Sequence, residues 1–482
     1  MRKRGLSLMC MTLLFYSLYA QGFQEQYEEF KKNASQTYTY FRAECNQKYI
    51  QFLKDAWGWY NGEQPIPVPE YNPVPPRPFD GRGDTQPVEV SPEQIPVPVP
   101  KPQPKPVEPI RETPMPDGEF LSFGFYGVQA RVRFPKDFNM KLEGLQTNAI
   151  AKGWETLCVD EINNTIRDCL EARIRYNLSD WAYLLFLEQL GKAYSRNPNE
   201  ATLLMAFLYC QSGYQMRLAV DNNSLKLLFG SEHSIYEKPY FQIDGVKFYP
   251  YGKVSNSLSI CNAKFEGETP MSLIIDSEQI VGGTYSNERT IVAEDYPEVS
   301  IRSVVPTELM NFYNTYPTSE IGNNFLTRWA MYANVPLAIK CQEVIYPKFR
   351  KIIKGCSELD AANKLLNWVQ TGFVYEYDDK VWGHDRAFFA EETLFYPYCD
   401  CEDRSILFSR LVRDLLGLDV ALVYYPGHLA TAVAFNESVK GDAMLIGGRK
   451  FTVCDPTYFG APVGVQMPDL EYDKTKAIVL KR

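Results

Sequence analysis

The sequence predicts an α+β protein, with a C-terminal domain preceded by a second α+β domain, a Pro-rich linker and an N-terminal amphipathic helix. Three observations carry that prediction. Apolar residues recur at helical spacing over residues 181–194, 201–212 and 359–369. Runs rich in Val, Leu, Ile, Phe and Tyr cover 240–251, 419–425 and 428–435, with Asp244-Gly245 and Gly447-Gly448 as hairpin turns. The chain has 482 residues, too many for one compact core, so two or three folded units are expected.

The N-terminal elements come first. Met1-Arg2-Lys3-Arg4 is basic, residues 6–19 are mostly apolar, and Leu18-Tyr19-Ala20-Gln21 follows. That is the layout of a secretory signal peptide over residues 1–20, cleaved after Ala20. No later run reaches the roughly 18 apolar residues of a membrane span, so export is expected. Residues 21–62 form the next element. Phe23, Tyr27, Phe30, Ala34, Tyr38, Phe41, Cys45, Tyr49, Phe52, Ala56 and Trp59 recur at the period of a straight helix, opposite a polar face. Such a helix packs on its own protein, or it docks on a partner or on a second copy. Residues 63–118 follow. The stretch 65–116 holds 18 of the 33 prolines and reads as a stiff polyproline linker, able to span on the order of 150 Å if extended. Arg82-Gly83-Asp84 within it has no assigned role.

Residues 119–323 and 324–482 are the two globular segments. Residues 120–134 read as strands. A weak internal repeat links the segments. Residues 199–204, 213–218 and 243–248 have counterparts at 401–407, 417–422 and 446–451, each set reading helix, glycine stop, strand and hairpin. The first copy lacks a cysteine at the helix start and a histidine on the strand, as a degenerate copy would.

Composition narrows the function. A net charge of −9 and a pI near 5.2 argue against nucleic acid as the main partner. Ten cysteines would remain after cleavage of the signal, at irregular spacing, so no disulfide framework is implied. Cys399-Asp400-Cys401 has no second cysteine pair, and the chain has three histidines, so neither a metal nor a cofactor is expected.

The chemistry concentrates near residue 401. Ile406, Leu407, Leu411, Val412, Leu415 and Leu416 share one helical face, and Gly417 is a natural stop. Cys401 therefore opens a helix, where free N–H groups and the macrodipole favour a thiolate and can serve an oxyanion. His428 opens a strand after the Pro426-Gly427 turn, and Asp455 ends a strand before Pro456-Thr457. A helix on adjacent antiparallel strands can bring the three together as nucleophile, base and orienting acid. Cys399 is the alternative nucleophile. His384 is expected in a surface loop, and His233 in a polar loop without a role.

Cys-x-Asp at a helix start, a His-led strand and then Asp-Pro-Thr, in that order, resembles the transglutaminase-like superfamily. The resemblance covers residues 335–470 and is nearest to bacterial exported members with a Cys-Glu-Asp-Arg-Ser signature, here Cys401–Ser405. It implies a papain-like fold and a thioester acyl-enzyme that passes its acyl group to water or an amine. It places the nucleophile on Cys401, the base on His428, the acid on Asp455, and a structural aspartate on Asp403. No side chain that completes an oxyanion hole is evident, and no EF-hand-like loop is present. The expectation is an exported periplasmic, envelope or secreted cysteine enzyme acting on protein or peptide amides, with peptidoglycan peptides among the candidates. Peptidase chemistry ranks first and cross-linking second; a non-catalytic scaffold is the rival.

Overall fold

A computed structural model describes residues 41–69, 73–81, 88–100, 102–116 and 118–481. The signal segment 1–20, residues 23–40 of the amphipathic stripe and Arg82-Gly83-Asp84 lie outside the described residues. The architecture is α+β, built on one six-stranded and one seven-stranded sheet.

The repeat seen in the sequence is a repeat of topology. In the second unit, helix Cys401–Leu416 ends at Gly417 in the left-handed conformation. Strands Asp419–Tyr425 and His428–Ala434 follow, then the hairpin Ala443–Ile446/Arg449–Cys454 and strand Lys476–Val479. The last strand pairs with the first, the second pairs with the far arm of the hairpin, and these pairings are antiparallel. In the first unit, helix Pro198–Gln211 is followed by Gly213 at φ 91°, strands Met216–Asp221 and Ser224–Ser231, hairpin Phe241–Ile243/Val246–Pro250 and strand Ser257–Cys261. These strands pair in the same order and sense. Register fixes the equivalences: Asp221 faces Ser224 as Tyr425 faces His428.

Both sheets turn one face to a common apolar core that runs from Cys45 to Leu480 and encloses the helices. Helix Cys401–Leu416 is buried from Cys401 to Arg413, because sheet strands cover one side and helices Leu326–Asn334, Glu358–Thr371 and Ala390–Phe395 cover the others. Each sheet's outer face has its own cluster, around Phe248 and Ile260 in the first and Phe451 and Met467 in the second.

The Pro-rich segment is not a free spacer. It is a strap laid along both units. Glu89–Val90 and Glu93–Gln94 add short parallel strands to the two edges of the second sheet. Val74 N–H bonds Gly427 O at 2.7 Å, Phe79 N–H bonds Phe459 O at 2.8 Å, and Val107 N–H bonds Gln211 O at 2.9 Å. Val74, Phe79 and Val90 cover the outer face of the second sheet. Proline lacks an N–H, but the residues between prolines supply donors, and an extended chain presents them to a sheet edge. Lys105 O passes so close to Gly213 that a Cβ there would sit 2.0 Å away.

Two further expectations change. The helix covers Phe41–Asp55 and stops, and Trp57–Asn61 becomes an edge strand of the first sheet beside Ser257–Cys261. Cys45, Tyr49 and Leu53 are buried, with Tyr49 4.8 Å from Trp154, whereas Trp59 is 77% exposed. The described part of the stripe thus packs on its own protein. The boundary at residue 323 is not a break either. Hairpin Arg289–Val292/Ser300–Ser303 packs on the second unit's helices, with Trp368 Nε1–H donating to Ile291 O at 3.0 Å.

Candidate active site

Cys401 is the first residue of its helix, with Asp400 as N-cap. Asp403 accepts from Phe388 N–H at 2.8 Å and from Asp400 N–H at 3.2 Å. It therefore fixes the chain entering the helix, the structural role the motif implied. One turn on, Ser405 Oγ–H donates to Leu429 O at 2.9 Å. That bond ties the helix start to the residue after His428, so Cys401 and His428 stand at the same end of the helix–sheet interface.

His428 Nε2 lies 2.8 Å from Asp455 Oδ2, and both residues are buried. A carboxylate at Nε2 selects the tautomer with the proton there, leaving the lone pair on Nδ1. His428 Nδ1 is buried with no hydrogen-bond partner among the described residues. Tyr425 stacks near the ring, with centroids 6.2 Å apart. Asp455 Oδ1 accepts Thr457 N–H at 2.9 Å.

Helix Glu358–Thr371 braces the site. Gln370 Nε2–H donates to Asp455 O at 2.9 Å and to Ala461 O at 3.0 Å. Arg404, three residues after Cys401 and fully buried, donates to Gln370 O at 2.7 Å and Phe373 O at 2.9 Å. Its guanidinium lies 5.3 Å from the Tyr375 ring and 5.1 Å from the Phe459 ring. One side chain thus links the Cys401 helix to the brace that holds Asp455.

On its other side Cys401 meets carboxylates. Its Sγ–H donates to Glu402 Oε2 at 3.2 Å. Burial, and then the Glu402 charge, push Asp400 well above the usual carboxylate range. Burial also raises Glu402, while Arg328 acts against that rise. Asp378 is pushed up to about 8 by burial and the Glu402 charge. Asp378, Asp385 and Glu402 stand close enough to ligate a cation, as do Asp400, Cys401 and Glu402. In the first group a protein cation is already present, since the buried Arg328 guanidinium forks onto both oxygens of Asp385. Asp378 Oδ2 is taken by Arg386 N–H at 2.6 Å.

The site is closed in this conformation. Cys401, His428 and Asp455 are at most 1% exposed. Burial, and after it the Cys401 charge, push the Tyr375 hydroxyl up, and burial raises Tyr377 as well. Both lie in residues 374–389, which also supply Asp378 and Asp385 beside Glu402 and the Phe388 N–H to Asp403.

The other candidates fall into place. Cys399 is buried, its thiol pushed up to about 11 by burial, and its Sγ lies 3.9 Å from Val374 O. His384 is exposed in a loop, with Nδ1 3.1 Å from Trp382 O. His233 is not in a solvated polar loop. It is buried, its Nε2 accepts Leu273 N–H at 3.1 Å, and its Nδ1 lies 3.2 Å from Ser319 Oγ. Glu402, Gln370, Arg404 and Tyr375 were not foreseen as neighbours of the site. Only Glu402 and Arg404 carried a signal, by adjacency to Cys401. Comparisons with family models, with curated proteins and with solved structures return no match.

Proposed function

We propose that this protein is an exported cysteine enzyme of transglutaminase-like type. It acts on protein or peptide amides through Cys401, His428 and Asp455, with peptide hydrolysis as the leading reaction. The observation that carries the reading is the Asp455–His428 bond with Nδ1 unpartnered, at the helix end where Cys401 sits. In the proposed reaction His428 Nδ1 takes the thiol proton, and the sulfur attacks the amide carbonyl. The carbonyl electrons shift to oxygen near the free N–H groups of the helix start. On collapse the C–N bond breaks, and His428 returns the proton to the leaving amine. Water, deprotonated by His428, then cleaves the thioester; an amine in its place gives a cross-link. Asp455 holds the ring and stabilises its charged form throughout.

The closed site favours a second reading, a scaffold in which the buried triad is a packing remnant. The test is incubation of the mature chain and its Cys401→Ala variant with a Gln-containing protein and a labelled amine. Fragments or amine incorporation from the native chain alone support the enzyme, and separate hydrolysis from transfer. Neither product from either chain sinks the catalytic reading.

A further inference from the structure

The duplicated topology locates the place in the first unit that matches the active site. Register pairs Ser224 with His428, because each opens the second strand opposite the last residue of the first. Tyr251 N–H bonds Leu227 O, as Cys454 faces Thr431, so Gly252 takes the place of Asp455. Pro198 opens the helix, as Cys401 does. The contact between helix start and strand start recurs too: Asn199 Oδ1 accepts Leu225 N–H at 2.8 Å, one residue after Ser224. Nucleophile, base and acid have thus become Pro, Ser and Gly, and none of the three can perform the chemistry.

The space between them has not closed. Pro198, Ser224 and Gly252 line one cavity of about 290 Å³. Ser224 and Gly252 are smaller than the His and Asp they stand for, and the room left suits one or two ligand side chains, near the lower end of ligand pockets. Its walls combine apolar Met205 and Leu225 with Lys192 and Lys226. Glu188 is the one acid on the wall, and it is already engaged by Lys192 at 2.8 Å and by the Tyr251 hydroxyl. Lys226 has no ion-pair partner among the described residues. The cavity therefore offers an aliphatic floor and a cation in surplus.

We infer that this cavity, at the position of the lost triad in the first unit, is a binding site for a peptide segment that carries a carboxylate. The ligand class rests on the peptide chemistry proposed for the second unit; the location rests on the duplicated topology and the cavity. The carboxylate is a chain terminus or an acidic side chain, and either would meet Lys226. A catalytically inert copy would then hold the substrate chain while the second unit works on it.

The test uses the full mature Cys401→Ala chain, so that binding is read without turnover. Fluorescence anisotropy follows a fluorescein-labelled decapeptide of alternating Ala and Leu that ends in Glu. Three forms are compared: free acid, C-terminal amide, and the amide with Gln in place of Glu. The acid forms should bind and the last form at least tenfold more weakly, while the first two separate terminus from side chain. Lys226→Glu should weaken binding at least tenfold. Thr202→Trp, on the partly exposed rim, should fill the cavity and abolish binding, with unchanged melting showing that the fold is intact. Affinity unmoved by both substitutions, or no binding up to about 1 mM, overturns the proposal. Loss of turnover in the native chain alongside cavity-dependent binding would instead remove the enzyme reading and leave this one standing.

Discussion

Glu402→Gln should make Cys401 more acidic. The Glu402 carboxylate is 3.2 Å from the sulfur, and both are buried. Two unit charges at that separation repel by about 5 kcal/mol at an effective dielectric near 20. That bounds the effect at about 4 pH units. Arg328 draws off part of the Glu402 charge, so a fall of about 1–3 units is expected. The amide keeps the volume, so packing is spared. The assay is the pH profile of iodoacetamide alkylation, read at the Cys401 peptide by mass spectrometry. The midpoint should move down. The rate at pH 7 should rise about threefold per unit, less than tenfold because a more acidic thiolate is a weaker nucleophile. An unchanged or raised midpoint would refute the claim that Glu402 holds the sulfur as a thiol.

Three other outcomes follow from the same contacts. Burial pushes Glu391 and Glu392 up to about 7. Between pH 4.5 and 7 the folded state then binds more protons than the unfolded one, and stability falls as pH rises. Melting scans should show that decline, and Glu391→Gln should flatten it; melting that rises with pH through this window contradicts the assignment. Arg404→Leu leaves the carbonyls of Gln370 and Phe373 without their donors, at a cost of about 3 kcal/mol. Denaturant unfolding checks it, and a loss under about 1 kcal/mol would show that the brace is not needed. Gly213→Ala puts a Cβ into Lys105 O at a left-handed φ, which should lift the strap and bring faster proteolysis within 102–107; an unchanged digestion pattern counts against the clasp.

The duplicated unit was legible because short-range signals mark it. Glycines end both helices, Asp244-Gly245 and Gly447-Gly448 turn both hairpins, and strand composition fills the intervals. The Asp455–His428 pair was legible because motif order placed both at strand ends. The strap was not. A polyproline run has no period that points to a partner, and the sheet edges it meets lie more than 300 residues away, as between Glu89 and Ala443. The helical stripe failed beyond Asp55 for a related reason. Ala56 and Trp59 fit the helical count, but pairing of Trp57–Asn61 with Ser257–Cys261 claims that backbone for a strand. Gln370 and Tyr375 gave no signal, because only the packing of helix Glu358–Thr371 brings Gln370 to Asp455, and only the pairing of Val374–Tyr375 with Tyr398–Cys399 sets Tyr375 beside the strand that leads into Cys401.

The central claim is that Cys401 is a nucleophile served by His428. Its most direct test is labelling of the folded mature chain, under reducing conditions, by a carbonyl-directed electrophilic probe, with Cys401→Ala and His428→Asn alongside. The account predicts one adduct on the native chain, at Cys401, absent from Cys401→Ala and slowed at least tenfold in His428→Asn. Equal labelling of the native and His428→Asn chains, or labelling of Cys401 only after unfolding, would contradict it.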